Sequence, residues 1–207
     1  MPVFRNHSYA AFLFDMDGTL LDSSAAVDRV WGTWARRHGI DVPTLLASVH
    51  GVRSEDTIRR FAGADVDVAK ETQWILEAEV ADVDGVVAVQ GAHAFIDALN
   101  PGTWAIVTSA PRALAEVRLR AVNLPIPEVM ITAEDVQRGK PDPQGFLLGA
   151  QRLGVSIGQC LVFEDSPAGV AAAKAAGAHV AIVGGRVPRT EGNFVLADYV
   201  RCELPSR

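Results

Sequence analysis

The chain has 207 residues, with 19 Lys and Arg against 25 Asp and Glu, a formal net charge of −6 and an apolar fraction of 49%. An acidic balance whose densest basic runs are the dipeptides Arg36-Arg37 and Arg59-Arg60 argues against a nucleic-acid or anionic-membrane surface as the main partner, since both need a clustered positive field. Domains usually run to ~100–150 residues, so this length suggests one domain carrying an insertion.

The first predicted element is the apolar run Tyr9–Phe14, which ends at Asp15. It is too short for a signal peptide or a membrane span and reads as a buried strand. From Asp22 to about Gln90 the spacing is helical instead: Val27, Val30, Trp31 and Trp34, then Ile58 and Phe61, then Trp74, Ile75 and Ala78. Gly85–Val89 could be a short extended return. Beyond Gly91, Trp104–Val107, Val129–Ile131, Cys160–Phe163 and His179–Val183 are short β-prone runs of the kind that form buried parallel strands. Helix patterns lie between them. Pro111, Pro143 and Pro167 stand where a first helical turn begins, and Asp142 and Ser166 precede two of them as N-cap candidates. Gly177 stands where a helix C′ glycine belongs. The fold class expected is α/β, a doubly wound parallel sheet formed by residues 1–21 and 91–207, with a helical subdomain inserted at 22–90. Removing the insertion leaves about 138 residues, an ordinary size for one α/β domain.

Cys160 and Cys202 make no Cys-x-x-Cys pair, so neither a zinc knuckle nor a disulfide framework is indicated, and a reduced, cytoplasmic setting is expected. The five histidines form no His-x-x-x-His pattern, and only His50 lies near the proposed chemistry.

The strongest chemical signal is Asp15-Met-Asp17-Gly-Thr-Leu20, directly after the first strand. Two carboxylates at the carboxyl end of a strand can hold a hard cation, and one can act as a nucleophile while the other exchanges protons. A lone Asp-x-Asp is more often a solvated turn, but Asp-x-Asp-Gly-Thr arises by chance in roughly one such chain in several hundred. A calcium loop starting at Asp15 would need Gly at its sixth position and Glu at its twelfth; Leu20 and Ala26 stand there. Phe163-Glu164-Asp165-Ser166-Pro167-Ala-Gly169 repeats the pattern of acids at a strand end, where they either cap the next helix or add oxygen ligands beside Asp15. Mg²⁺, which takes one or two carboxylates, water and substrate phosphate, is the expected ion. Thr108-Ser109 follows a strand and precedes a helix, a position that suits either a cap or an anion. Lys140, between Gly139 and Pro141, is either a solvated charge or a phosphoryl ligand.

These four segments, in this order and near this spacing, resemble the haloacid-dehalogenase-like hydrolase superfamily over nearly the whole chain, and the helical insertion resembles the cap of one branch. The resemblance implies that Asp15 is a nucleophile forming an aspartyl-phosphate and that Asp17 is the acid and base. It implies a Mg²⁺ site built from Asp15, the Asp17 backbone carbonyl and Asp165, with Glu164 binding directly or through water. Thr108, the Ser109 N–H and Lys140 would grip the phosphoryl group. Dehalogenases of the superfamily lack the second Asp, so Asp17 resembles the phosphatases and phosphomutases. The β-phosphoglucomutase-like branch carries a hinge His at the place of Val27, which makes a mutase the weaker alternative. A catalytically silent binding module is the third.

The loop His50-Gly51-Val52-Arg53-Ser54-Glu-Asp-Thr57 looks like the specificity loop of cap-bearing phosphatases of sugar, polyol and glycerol phosphates, which nominates Gly51 and Arg53 as substrate residues. Arg53 reads equally well as a solvated arginine at a helix start. Relatives commonly continue Thr-Ser with Gly and a small polar residue. Here Ala110-Pro111 follows, so any contact made by the second amide is absent. The expected partner is a small-molecule phosphate ester, with no nucleic acid and no membrane, bound by a monomer or homodimer.

Overall fold

A computed structural model describes residues 1–5, 7–188 and 194–202. The strands are β1 (Val3–Phe4), β2 (His7–Ser8), β3 (Ala11–Phe14), β4 (Leu21–Asp22), β5 (Val87–Ala88), β6 (Trp104–Val107), β7 (Met130–Ile131), β8 (Cys160–Glu164), β9 (His179–Val183) and β10 (Phe194–Leu196). The helices are α1 (Ser24–Arg37), α2 (Val42–Leu46), α3 (Ser54–Phe61), α4 (Val68–Ala81), α5 (Ala92–Asp97), α6 (Arg112–Ala121), α7 (Gln144–Arg152) and α8 (Pro167–Ala176). Of the expected sheet domain, residues 6, 189–193 and 203–207 lie outside the described residues.

Six strands form one parallel sheet in the order β10-β9-β8-β3-β6-β7. All five runs expected as strands are in it. β10 was not anticipated: Phe194–Leu196 is apolar but only three residues long, and it is fixed by pairing with β9. Alternation along β3 divides its side chains between two cores. Phe12 and Phe14 pack with Phe95, Ile106, Phe163 and Tyr199, whereas Ala11 and Leu13 pack with Val107, Phe146, Val162 and Ile182 on the other face. The rings of Phe14 and Phe163 stack at 4.6 Å between centroids. Fully burying a phenylalanine contributes roughly 1.5–3 kcal/mol, so this aromatic layer under the strand ends is a rigid footing for what they carry.

Helices α1 to α4 build a third cluster from Val27, Val30, Trp31, Trp34, Leu45, Ile58 and Ile75. Asp41 and Asp67 cap α2 and α4 through the amides of Thr44 and Lys70. The chain leaves the sheet and returns to it side by side, because β4 pairs antiparallel with β5; the extended return expected at Gly85–Val89 is this two-residue strand. No helix among the described residues is long and apolar enough to cross a membrane.

Helix starts differ by one residue from expectation at two sites. Pro167 is the first residue of α8, capped by Ser166 through the Gly169 amide, but Pro111 and Pro143 occupy the N-cap positions themselves. Asp142 therefore stands one residue before the cap, and its Oδ1 accepts from the Gln144 amide at 3.0 Å. Gly177, at φ +86°, ends α8 in the left-handed conformation.

Candidate active site

β8, β3 and β6 are adjacent, and Phe14 lies in register with Phe163 on one side and Ile106 on the other. The residues that follow these strands consequently meet at one sheet edge. Asp15 comes from β3, Glu164 and Asp165 from the end of β8, and Thr108 from the turn after β6. In parallel sheets this is the edge where ligands gather.

Lys140, from the loop before α7, reaches into the centre, with Nζ 2.5 Å from Asp15 Oδ1 and 2.7 Å from Glu164 Oε1. Glu164 Oε2 accepts from the Ser166 amide at 2.8 Å and the Ser166 hydroxyl at 3.0 Å. Gly169 makes room for it: a Cβ there would lie 1.6 Å from Glu164 Oε1. Asp165 accepts from Arg186, a residue that follows β9, at 2.8 Å. Asp15, Glu164 and Asp165 are all buried, and each has a carboxylate oxygen within 4.8 Å of the others.

The electrostatics leave room for a cation. Burial, then the neighbouring Glu164 and Asp165 carboxylates, hold the Asp15 carboxyl well above the ordinary range although Lys140 opposes them. Asp165 is pushed up to about 6, first by burial and then by Glu164. Burial also works against the Lys140 charge, but Asp15 and Glu164 outweigh it and raise its pKa. Asp15 Oδ2 is buried with no hydrogen-bond partner. Three clustered carboxylates, one with an unpartnered buried oxygen, form an all-oxygen donor set that fits a hard divalent cation.

Asp17 lies outside that cluster. Its Oδ1 accepts from Ser23 Oγ at 2.6 Å and from Arg118 Nη1 at 2.9 Å. Arg118, on α6, is 3% exposed and bonds Glu79 Oε1 on α4 at 3.0 Å through its other arm. Burial works against the Arg118 charge, and Asp17 and Glu79 outweigh it; burial raises Glu79, and Arg118 opposes that rise. One cavity is lined by Asp15, Asp17, Glu79, Ser109 and Arg118, together with the apolar Trp31 and Leu114.

The Thr108 hydroxyl accepts from the Ala110 amide at 3.0 Å, and Ser109 Oγ donates to the Gly51 carbonyl at 2.9 Å. Gly51, at φ +74°, lies so close to Ser166 that a Cβ would come within 2.3 Å of its hydroxyl. The helical segment thus touches the sheet domain at two of the expected site residues. Arg53 precedes α3 and lies over Gly139. Its Nε and Nη2 bond Asp56 at 2.8 Å and 3.2 Å, and its Nη1 bonds the Gln137 carbonyl at 3.1 Å. Its guanidinium is therefore engaged with the loop that carries Lys140 rather than lining the cavity that joins Asp15 to Asp17. Thr108, Ser109 and Lys140 do share a second cavity with it.

Arg118, Glu79 and Arg186 had not been singled out from the sequence. A signal existed for the first two: Arg118 falls on the apolar stripe Leu114, Ala115, Leu119, Val122, and Glu79 lies four residues beyond buried Ile75. A charge on the buried stripe of a helix needs a partner. Arg186 follows a strand end on the same sheet edge, a weaker signal.

Residues 9–177 match the family model described as haloacid dehalogenase-like hydrolase. Hexitol phosphatase A of Escherichia coli (strain K12) is 47% identical over 176 residues, covering 83% of this chain and 82% of that protein. Glycerol-1-phosphate phosphohydrolase 1 of Saccharomyces cerevisiae (strain ATCC 204508 / S288c) is 36% identical over 183 residues, covering 82% and 72%. In fold, a β-phosphoglucomutase from Clostridium difficile superposes with a TM-score of 0.80 over 92% of this chain and 91% of that one, at 19% identity. The chain belongs to the haloacid dehalogenase-like hydrolase family.

Proposed function

We propose that the protein is a Mg²⁺-dependent phosphatase of small sugar or polyol phosphate monoesters, with Asp15 as nucleophile and Asp17 as acid and base. The observation that carries this reading is the convergence of Asp15, Lys140, Glu164 and Asp165 at one sheet edge, beside a cavity that also reaches Asp17. The names of two relatives, a hexitol phosphatase and a glycerol-1-phosphate phosphohydrolase, support the substrate class.

In the first step an Asp15 oxygen attacks phosphorus, the bond from phosphorus to the ester oxygen breaks, and Asp17 gives its proton to the departing alkoxide. In the second, water attacks the phosphorus of the aspartyl-phosphate and passes a proton to Asp17. The bond from phosphorus to the Asp15 oxygen then breaks and inorganic phosphate leaves. Ser23 and Arg118 both donate to Asp17 Oδ1, so Oδ2 is the oxygen that carries the proton. Thr108, the Ser109 N–H and Lys140 hold the phosphoryl oxygens. Asp15, the Asp17 carbonyl, Glu164 and Asp165 would hold Mg²⁺. When bound, that ion neutralises charge between the phosphate dianion and its anionic surroundings.

Residues 22–90 act as a cap over the core formed by 1–21 and 91–207, with Gly51 and Arg53 on the loop that meets the core. Closure excludes water during the first step. A phosphosugar mutase is less well supported. Moving phosphate through a bisphosphate calls for a second cationic pocket, and Arg118 is already bound to two carboxylates. All named groups come from one chain, so a monomer or homodimer in the cytoplasm suffices. The reading is tested by phosphate release from a panel of hexose, hexitol, pentose and glycerol phosphates with Mg²⁺. At least one ester should be turned over, and Asp15→Asn and Asp17→Asn should abolish that turnover.

A further inference from the structure

The cavity that joins Asp15 to Asp17 has an unusual far end. Glu79 lines it at 4% exposure and its Oε1 accepts from Arg118 at 3.0 Å; burial raises its pKa, while Arg118 and a hydrogen bond from Trp31 oppose the rise. Arg118 is the one cation among the described residues lining this cavity. Both of its arms are committed, to Asp17 at 2.9 Å and to Glu79 at 3.0 Å. Arg53, on the neighbouring cavity, is likewise bound to Asp56 and the Gln137 carbonyl. With Asp17 ionised the two carboxylates outnumber the one cation, and with Asp17 protonated for the first step Arg118 and Glu79 balance, so in neither state does this end, enclosed by Trp31 and Leu114 and poorly screened by salt, offer an uncompensated cation.

We propose that Glu79 is a specificity-determining residue for the leaving group, accepting hydrogen bonds from the hydroxyls of a polyol chain and repelling any leaving group that carries a second anionic charge. The inference rests on the phosphatase reading above and adds to it a class of phosphate esters that the site rejects. A carboxylate is an acceptor only, with about four lone-pair sites, so after the bonds from Arg118 and Trp31 it can still take hydroxyl donors. A carboxylate or second phosphate in the same place would be desolvated against Glu79 with no free cation to compensate it, which is how a like charge rejects a wrong ligand. Trp31 and Leu114 offer apolar walls to the carbon chain.

The test uses two esters that differ only at the far carbon: sorbitol 6-phosphate, ending in a neutral CH₂OH, and 6-phosphogluconate, ending in a carboxylate. The wild type should favour the first in kcat/KM by about 100-fold or more. Glu79→Gln, which keeps shape and the bond from Arg118, should shrink that ratio by about tenfold, while Glu79→Asp, which keeps the charge, should retain most of it. A ratio of two substrates on one preparation is independent of the active fraction, so partial misfolding does not obscure it. A wild type that hydrolyses both esters equally well overturns the inference, as does a Glu79→Gln ratio equal to that of the wild type. If the wild type releases phosphate from neither these nor any other ester, the phosphatase reading itself fails and the inference with it.

Discussion

The guanidinium of Arg118 lies 2.9 Å from the Asp17 carboxylate across 101 residues of sequence, and its second arm holds Glu79 of α4. A buried arginine thereby links the Asp-x-Asp turn to the helical segment. Removing one member of a buried ion-paired set leaves the others uncompensated, at a cost of about 3–5 kcal/mol. Arg118→Met should lower the stability to urea by that order. Arg118→Lys keeps the charge but lacks the fork. If Arg118 positions Asp17, kcat for Arg118→Lys should fall roughly tenfold to a hundredfold while KM stays within about threefold. Steady-state kinetics with denaturant melts check both, and an unchanged kcat contradicts the positioning role.

Gly169 stands in helix α8, where a Cβ would lie 1.6 Å from Glu164 Oε1. Gly169→Ala should therefore displace Glu164 from Lys140 and Ser166, even though alanine is the better helix former. The expected result is a net loss of about 1–3 kcal/mol and a smaller thermal shift on adding Mg²⁺. A gain in stability, as helix propensity alone predicts, would show that the close approach is harmless.

Asp165 has a folded pKa of about 6 against an ordinary 3.8. Between those values the unfolded chain has lost the proton that the folded chain keeps, so the stability of the metal-free protein should fall as pH rises through this window. The raised Asp15 carboxyl acts in the same direction. A divalent cation competes with these protons, so its stabilisation should be larger at about pH 8 than at about pH 5. Thermal melts with Mg²⁺ and with EDTA at both pH values measure the effect. Equal shifts would mean that the ion binds elsewhere.

Gly51 occupies φ +74° with its carbonyl bonded to Ser109 and its α-carbon against Ser166. Gly51→Ala adds both a strained backbone and a clash, at a contact between the helical segment and the sheet domain. Because the sheet core lies elsewhere, KM should rise several-fold, on the order of 1 kcal/mol, with little change in the cooperativity of unfolding. Unaltered kinetics would remove this contact from the closing surface.

Much of this was legible in the sequence because its physics is local. Phe12 and Phe14 alternate with Ala11 and Leu13, which marks a strand buried on both faces, and acids directly after such a strand must lie at the sheet edge. Ser166-Pro167 and Gly177 mark the ends of α8 through cap chemistry alone. What sequence could not give was pairing across distance. Nothing local tells that Arg118 meets Glu79 rather than solvent, or that Arg53 turns onto Gln137 and Asp56 instead of the cavity. β10 escaped notice for the same reason, since its register on β9 defines it more than its own composition.

The most direct test of the account is the covalent step itself. The protein is mixed with a turned-over ester and Mg²⁺, quenched in acid during turnover, reduced with borohydride, digested and read by mass spectrometry. An aspartyl-phosphate is an acyl phosphate, which borohydride reduces to homoserine, so homoserine should appear at position 15 and at no other aspartate, and should be absent when the ester is omitted. Phosphate release at full rate, with the residue at position 15 unmodified at every quench time and turnover retained in Asp15→Asn, would contradict Asp15 as the nucleophile.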